Sequence, residues 1–420
     1  MAKKIKNINP KALYTHCYGH ALNLSVKSAC DSVVVLRDTF DTAKEVTKLV
    51  KDSPKAEATL NQLKEENESI ECGVHTFCPT RWTVRGSTLQ SIEKNRNELI
   101  QLFERIESDS KDSSRRSKAR GIKADMMKFD YFFGSTLAQS ILSLTDKLSK
   151  CLQNPALSAS EAQETAREVL NKLQEDRNNF NQLWEQIRQS KVLQGIGEPV
   201  APRKRKHRQP HGEEGGEEFQ PETTEQRYRI HYITAYDHVI QQIIRRFDQP
   251  DYKVYGAMEA VLLDGMAKIP IKEHLKKEFK CACKSPCQCQ AVSIESLYET
   301  EINFDSLQNQ FEVFNCVTNP QRFENKQPTE FSHCLKAVRT LSKSQKTMYQ
   351  DIITLIKLIM LAPASNANSE RVFSSLRRIK TYLRSTMNQE RLENLMVLTV
   401  HKEILDNLEI VQAAETFTKA

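Results

Sequence analysis

Glu370 has the surroundings that most invite a chemical question in this 420-residue chain. It stands in LAPASNANSERVFSSLRRIKTYLR, where Val372, Phe373, Leu376, Ile379 and Leu383 recur as one apolar helical face. Arg371, Arg377, Arg378, Lys380 and Arg384 supply positive charge beside that face. A carboxylate at a helix start ordinarily complements the helix dipole. That bland reading does not say why a lone acid should head a helix whose outer side is almost entirely cationic.

Two other clusters could do chemistry. In KCACKSPCQCQ, Cys281, Cys283, Cys287 and Cys289 place four thiols within nine residues. Zinc sites usually pair cysteines two to four residues apart so that both sulfurs face one ion, and C-x-C is tighter than that. The cluster is therefore either a zinc site or an exposed loop of reduced thiols, and no other cofactor is expected. Cys72, His75 and Cys78 offer three potential ligands without a clear fourth. In PRKRKHR, Arg203, Lys204, Arg205, Lys206 and Arg208 form a basic block that fits an acidic receptor groove, the chemistry of nuclear targeting. A solvated charge run or a phosphate-contacting patch is the competing interpretation.

The elements that must carry these residues read as helices. Hydrophobic content of 39%, aromatic content of 7% and only 12 glycines and 14 prolines disfavour a fold of many tight turns. Leu36 to Val50, Leu89 to Ile106, Phe129 to Leu148, and Tyr228 to Phe247 each show helical spacing. Ser53-Pro54 should close one helix and open the next, and Ser158 with Glu161 spells a capping box for a helix expected to run on to Ile187. KDSSRRSKARG (111–121) reads as a polar break. The stretch 194–226 holds almost no large apolar residue and reads as a mobile linker with a basic block and an acidic, glycine-bearing tail. No apolar run approaches the roughly 20 residues of a membrane span. The N-terminus lacks an apolar signal core, and eleven cysteines without secretory context read as reduced thiols. A net charge of +7 permits an anionic partner without requiring one.

Three motifs in order carry a resemblance. THCYGHALNL contains a C-x-x-H pair, Cys17 and His20; CPTRWTVR contains Arg81 and Trp82; and SNANSERVFSSLRRIKTYLRSTMNQERLENLMVL contains Ser369, Glu370 and Arg371. Together they resemble the hAT transposase superfamily, and within it the vertebrate transposase-derived groups of zinc-finger MYM type and THAP type. The resemblance implies a predominantly α-helical chain that is the C-terminal remnant of a ribonuclease-H-like α/β core interrupted by a large all-α insertion. On that basis residues 1–30 hold a remnant strand (Ala12 to Cys17) and helix, 31–193 and 227–350 are the two parts of the insertion, 194–226 is the linker, and 351–410 is the hAT dimerisation region.

The resemblance also assigns roles. Glu370 matches the third carboxylate of an Asp-Asp-Glu set that holds two divalent ions for strand transfer. Trp82 matches a tryptophan that stacks on a displaced base, or else it packs in the insertion's core. His20 is a hydrogen-bonded histidine at a strand end or a metal ligand. The segment before Cys17 supplies neither aspartate, and one carboxylate cannot cage two hydrated magnesium ions. Glu370 is thus expected to be vestigial and the chain to be no enzyme. The alternative is a working transposase or nuclease, or a C-terminal piece of one that takes its aspartates from elsewhere.

The expected activity is dimerisation with a second copy or a related hAT-domain protein, in the nucleus, without a membrane or a small-molecule substrate. Phe373, Leu376, Leu392, Leu395, Met396 and Leu398 are the expected interface. The opposing interpretation buries them in the chain's own insertion domain. Arg377, Arg378 and Lys380, with Trp82, are the candidate contacts to nucleic acid.

Overall fold

The computed structural model describes residues 4–5, 8–9, 11–68, 72–77, 84–154, 157–190, 195–199, 223–279, 292–317, 330–361, 367–381 and 386–419. Among these, the regular elements are helices, and strand-like pairing is limited to one antiparallel bridge between Phe279 and Val292. Predominantly helical character is therefore observed. The segment Ala12 to Cys17, expected as the last strand of a ribonuclease-H-like sheet, is not a strand. Among the described residues it has no neighbouring strand to pair with, and side chains bond to its backbone instead. The Tyr14 and His16 N–H groups donate to Asp251 Oδ2 and Gln249 Oε1, and the His16 carbonyl accepts from Gln249 Nε2 and the Tyr252 hydroxyl.

The first group of helices comprises α1 (Tyr18–Ser32), α2 (Val34–Lys51), α3 (Pro54–Glu66), α4 (Arg85–Lys94), α5 (Arg96–Asp109), α6 (Ser113–Met126), α7 (Phe129–Leu152), α8 (Ala159–Asp176), α9 (Phe180–Gln189) and α10 (Thr224–Phe247). Their starts follow capping chemistry. The Ser53 hydroxyl accepts from the Ala56 N–H with Pro54 in the first turn, and Ser158 and Glu161 exchange bonds as a capping box, as do Thr223 and Gln226.

Three expectations about these helices are corrected. The stretch 111–121 is not a break but the greater part of α6. Asp112 caps it, Ala119, Ile122 and Met126 are buried, and Arg120 and Lys123 pair with Glu107. Its lysine, arginine and alanine content favours a helix even though few residues are apolar. The helix expected from Leu89 to Ile106 is two, broken at Asn95. This buried amide donates to the carbonyls of Cys72 and Ser91, tying a loop to the junction. The helix expected from Ser158 to Ile187 likewise ends at Asp176, and α9 restarts it at Phe180.

Aromatic side chains hold this group together. Along α10, Tyr228, Tyr232 and Tyr236 lie four residues apart on one buried face. Tyr228 meets Phe129 and Phe133 of α7 and Trp184 of α9, and its hydroxyl donates to Asp130. The Tyr232 hydroxyl donates to the Asp176 carbonyl at the end of α8. Tyr18 of α1 stacks on Phe247, with ring centroids 4.8 Å apart, and on Tyr252, 4.2 Å away. The α2–α7 crossing is close because residue 134 is glycine: a Cβ there would sit 2.0 Å from Thr39 Oγ1 and 2.9 Å from the Val35 carbonyl oxygen.

The expected linker 194–226 is narrower at both described ends. Ile196 packs on the core, the Gly197 N–H donates to the Met127 carbonyl, and α10 begins at Thr224. The second group comprises α11 (Pro250–Met266), α12 (Lys272–Lys276), α13 (Ile294–Tyr298), α14 (Phe304–Val317), α15 (Phe331–Arg339), α16 (Lys343–Met348) and α17 (Gln350–Met360). α11 packs on α8, where the buried Glu259 accepts from the Ser160 N–H; burial pushes that carboxyl's pKa up. Beyond them lie α18 (Ala367–Ile379), α19 (Gln389–Val400), α20 (Lys402–Leu405) and α21 (Ile410–Lys419). Among the described residues no helix is long and apolar enough to cross a membrane.

The glycine contact yields a test of the packing. Gly134→Ala should destabilise the chain by roughly 1–3 kcal/mol through overpacking. Thr39→Ala in the same chain should recover only part of that loss, since the Val35 carbonyl remains in place. Thermal or urea unfolding of the single and double variants reads the difference.

Candidate dimerisation surface

Helix α17 is fixed to the body. Ile352, Leu355, Ile356 and Ile359 are buried where α17 meets α11 and α14, and Tyr349 meets Phe314 edge-on at 5.0 Å. Gln310 of α14 donates to Asp351 Oδ2 at 2.6 Å and accepts from the Asp351 N–H at 3.1 Å. The seat combines apolar burial with a two-point polar lock.

The next two helices pack on each other and leave apolar surface open. Asn388 caps α19 by accepting from the Arg391 N–H at 2.9 Å. In α18, Ile379 is buried and Val372 and Leu376 are half-buried, while Phe373 is 67% exposed. In α19 no residue is fully buried; Leu392, Leu395 and Met396 are half-buried at helical spacing. Leu398 is 46% exposed, and Val397 and Val400 are also exposed. An apolar run of this kind needs cover on more than one side, and α18 supplies one.

The exposed surface continues past α19. Ile404, Leu405 and Leu408 are exposed around α20, and Ile410, Val411 and Phe417 are 71–84% exposed on α21. Isolated surface leucines are ordinary, whereas a contiguous apolar series marks an interaction surface. The region expected from the sequence, 351–410, leaves out all but the first residue of α21. Its signal was Ile410, Val411, Ala414 and Phe417, one helical stripe in a short polar tail.

The other expected site residues fall apart in space or lie outside the described residues. The backbones of Ser369, Glu370 and Arg371 lie in the first half of α18; their side chains are outside the described set. Arg377, Arg378 and Lys380 are exposed at the other end of the same helix. Cys17 is half-buried at the N-cap of α1, and His20 is exposed in its first turn. Arg81, Trp82, the basic block 203–208 and the cluster Cys281, Cys283, Cys287 and Cys289 lie outside the described residues. Among the described residues no three His, Cys, Asp or Glu side chains are grouped to hold a metal ion. Burial pushes the Cys30 and Cys334 thiols up to about 12, so these two are packing groups rather than nucleophiles.

Comparison with known proteins bears on this C-terminal geometry. Residues 338–404 match the hAT family C-terminal dimerisation region, which spans the seat α16–α17 and the open helices α18–α19. The whole chain is 20% identical over 436 residues to the human "52 kDa repressor of the inhibitor of the protein kinase", covering 53% of that protein, and 19% identical over 433 residues to the mouse protein of the same name. The chain spans about half the length of these curated relatives. Residues 338–404 thus match a hAT-type dimerisation region, and the chain along its whole length is weakly similar to two curated proteins named as repressors.

Proposed function

We propose that this chain is a transposase-derived module that works by dimerising, in the nucleus, without cutting DNA. The observation that carries the reading is the division inside residues 338–404. One half is locked to the body through α17, and the other half presents Phe373, Val397 and Leu398 to solvent. The partner is a second copy or another protein with the same region. Phe373, Leu376, Leu392, Leu395, Met396 and Leu398 lie at or just beneath the contact. Burying a leucine-sized side chain contributes about 1.5–3 kcal/mol, so a handful suffices for a stable dimer.

Sedimentation equilibrium at tens of micromolar tests this. The expected species is a dimer, and Leu398→Asp should shift it toward monomer while leaving the melting temperature of the body nearly unchanged. A wild-type chain that stays monomeric throughout that range ends the proposal.

The non-catalytic part of the reading is supported by the repressor names of the relatives. Exposed Arg377, Arg378 and Lys380 are suited to phosphate contacts. Incubated with DNA and Mn²⁺, the protein is expected to bind in a salt-sensitive manner that alanine at those three positions weakens, and to leave the strands intact. Strand transfer lost in Glu370→Ala would establish the enzymatic alternative instead.

The block Arg203, Lys204, Arg205, Lys206 and Arg208 is proposed to direct nuclear import. A fluorescent fusion should accumulate in the nucleus and spread to the cytoplasm when those five residues become alanine. Unchanged accumulation would refute the assignment.

A further inference from the structure

Helix α21 raises a physical problem that the matched region, ending at residue 404, does not address. It is ten residues long, and an isolated helix under roughly 12–15 residues is marginal in water. Tertiary packing of an apolar face is what normally stabilises such a helix, yet Ile410, Val411 and Phe417 are 71–84% exposed. Glu409 and Glu415 flank the stripe. The helix needs a receiving surface that is apolar at its floor and cationic at its rim.

The body carries one. A groove of about 540 Å³ lies against α15–α17, lined by the apolar Val338 and Ile353, by Thr347, Gln350 and Thr354, and by Lys343, Lys346 and Lys357. All three lysines are exposed, and none has a carboxylate partner among the described residues. The groove is built from residues 338–357, all inside the matched dimerisation region.

We propose that α21 of one copy lies in the α15–α17 groove of a second copy, with Glu409 and Glu415 facing Lys343, Lys346 and Lys357. The inference rests on the dimer reading and extends it beyond the matched region. In a two-fold dimer the exchange occurs twice, once in each direction, so each contact counts double. The apolar stripe supplies affinity and the charges supply register and partner choice.

Charge reversal in the full-length chain tests it, read by sedimentation velocity over a concentration series. One variant carries Lys343→Glu, Lys346→Glu and Lys357→Glu; the other carries Glu409→Lys and Glu415→Lys. Each set lies on exposed residues, and each alone sets like charges against each other in both contacts. Each variant is expected to self-associate at least about tenfold more weakly than wild type. Mixed, the two should form a heterodimer of near wild-type strength, because both contacts are then complementary. Ile410→Asp with Phe417→Asp should weaken association without recovery by either variant.

If the charge variants associate like wild type, or the mixture shows no preference for the heterodimer, while Leu398→Asp still dissociates the wild-type chain, the exchange is wrong and the dimer reading stands. Docking of α21 into its own groove would appear as that second outcome. A wild-type chain that is monomeric throughout removes both.

Discussion

The stacking of Tyr18 between Phe247 and Tyr252 is the contact on which the architecture depends. It joins the first well-formed helix to the junction of α10 and α11, more than 200 residues later in the chain. Offset aromatic faces combine large apolar burial with a preferred geometry, so the stack fixes orientation as well as proximity. The extended segment before Tyr18 exploits the same junction, where Gln249 and Asp251 satisfy the backbone of residues 14–16. Through this joint the α1–α10 group and the α11–α17 group share one continuous apolar core.

Much of the helical layout was legible because its signals are local. Ser53-Pro54, the Ser158–Glu161 box and the tyrosines of α10 spaced four residues apart each encode a start or a face within a few residues. The failures have equally local causes. α6 was hidden because ion pairs to Glu107 and a cap at Asp112 compensate for sparse apolar content. The break at Asn95 depends on a carbonyl 23 residues away, which periodicity cannot see. The resemblance implied a strand at Ala12 to Cys17, but strand formation needs a ladder partner, and here the side chains of Gln249 and Asp251 occupy that role.

For the candidate site the sequence was informative about type and silent about exposure. The residues Phe373 to Leu398 were identifiable as an apolar set, yet the same pattern fits a helix sunk into its own core. Burial separates the cases: α17, with the same kind of composition, is seated in the body, whereas α18 and α19 cover each other on one side only. The distinction comes from tertiary geometry, namely which face finds α11 and α14, and that is not written in any short window.

In the proposed dimer, the open apolar series from Phe373 to Phe417 also sets how this chain behaves on dilution. For a protein whose folded form is completed by an identical neighbour, the free energy of unfolding contains a mass-action contribution and so has no value apart from protomer concentration. In the proposed dimer, dilution strips the C-terminal helices of their cover and leaves their hydrogen-bonded backbone to helix propensity alone. Expression level then becomes a folding variable for helices α18 to α21 of that proposed dimer.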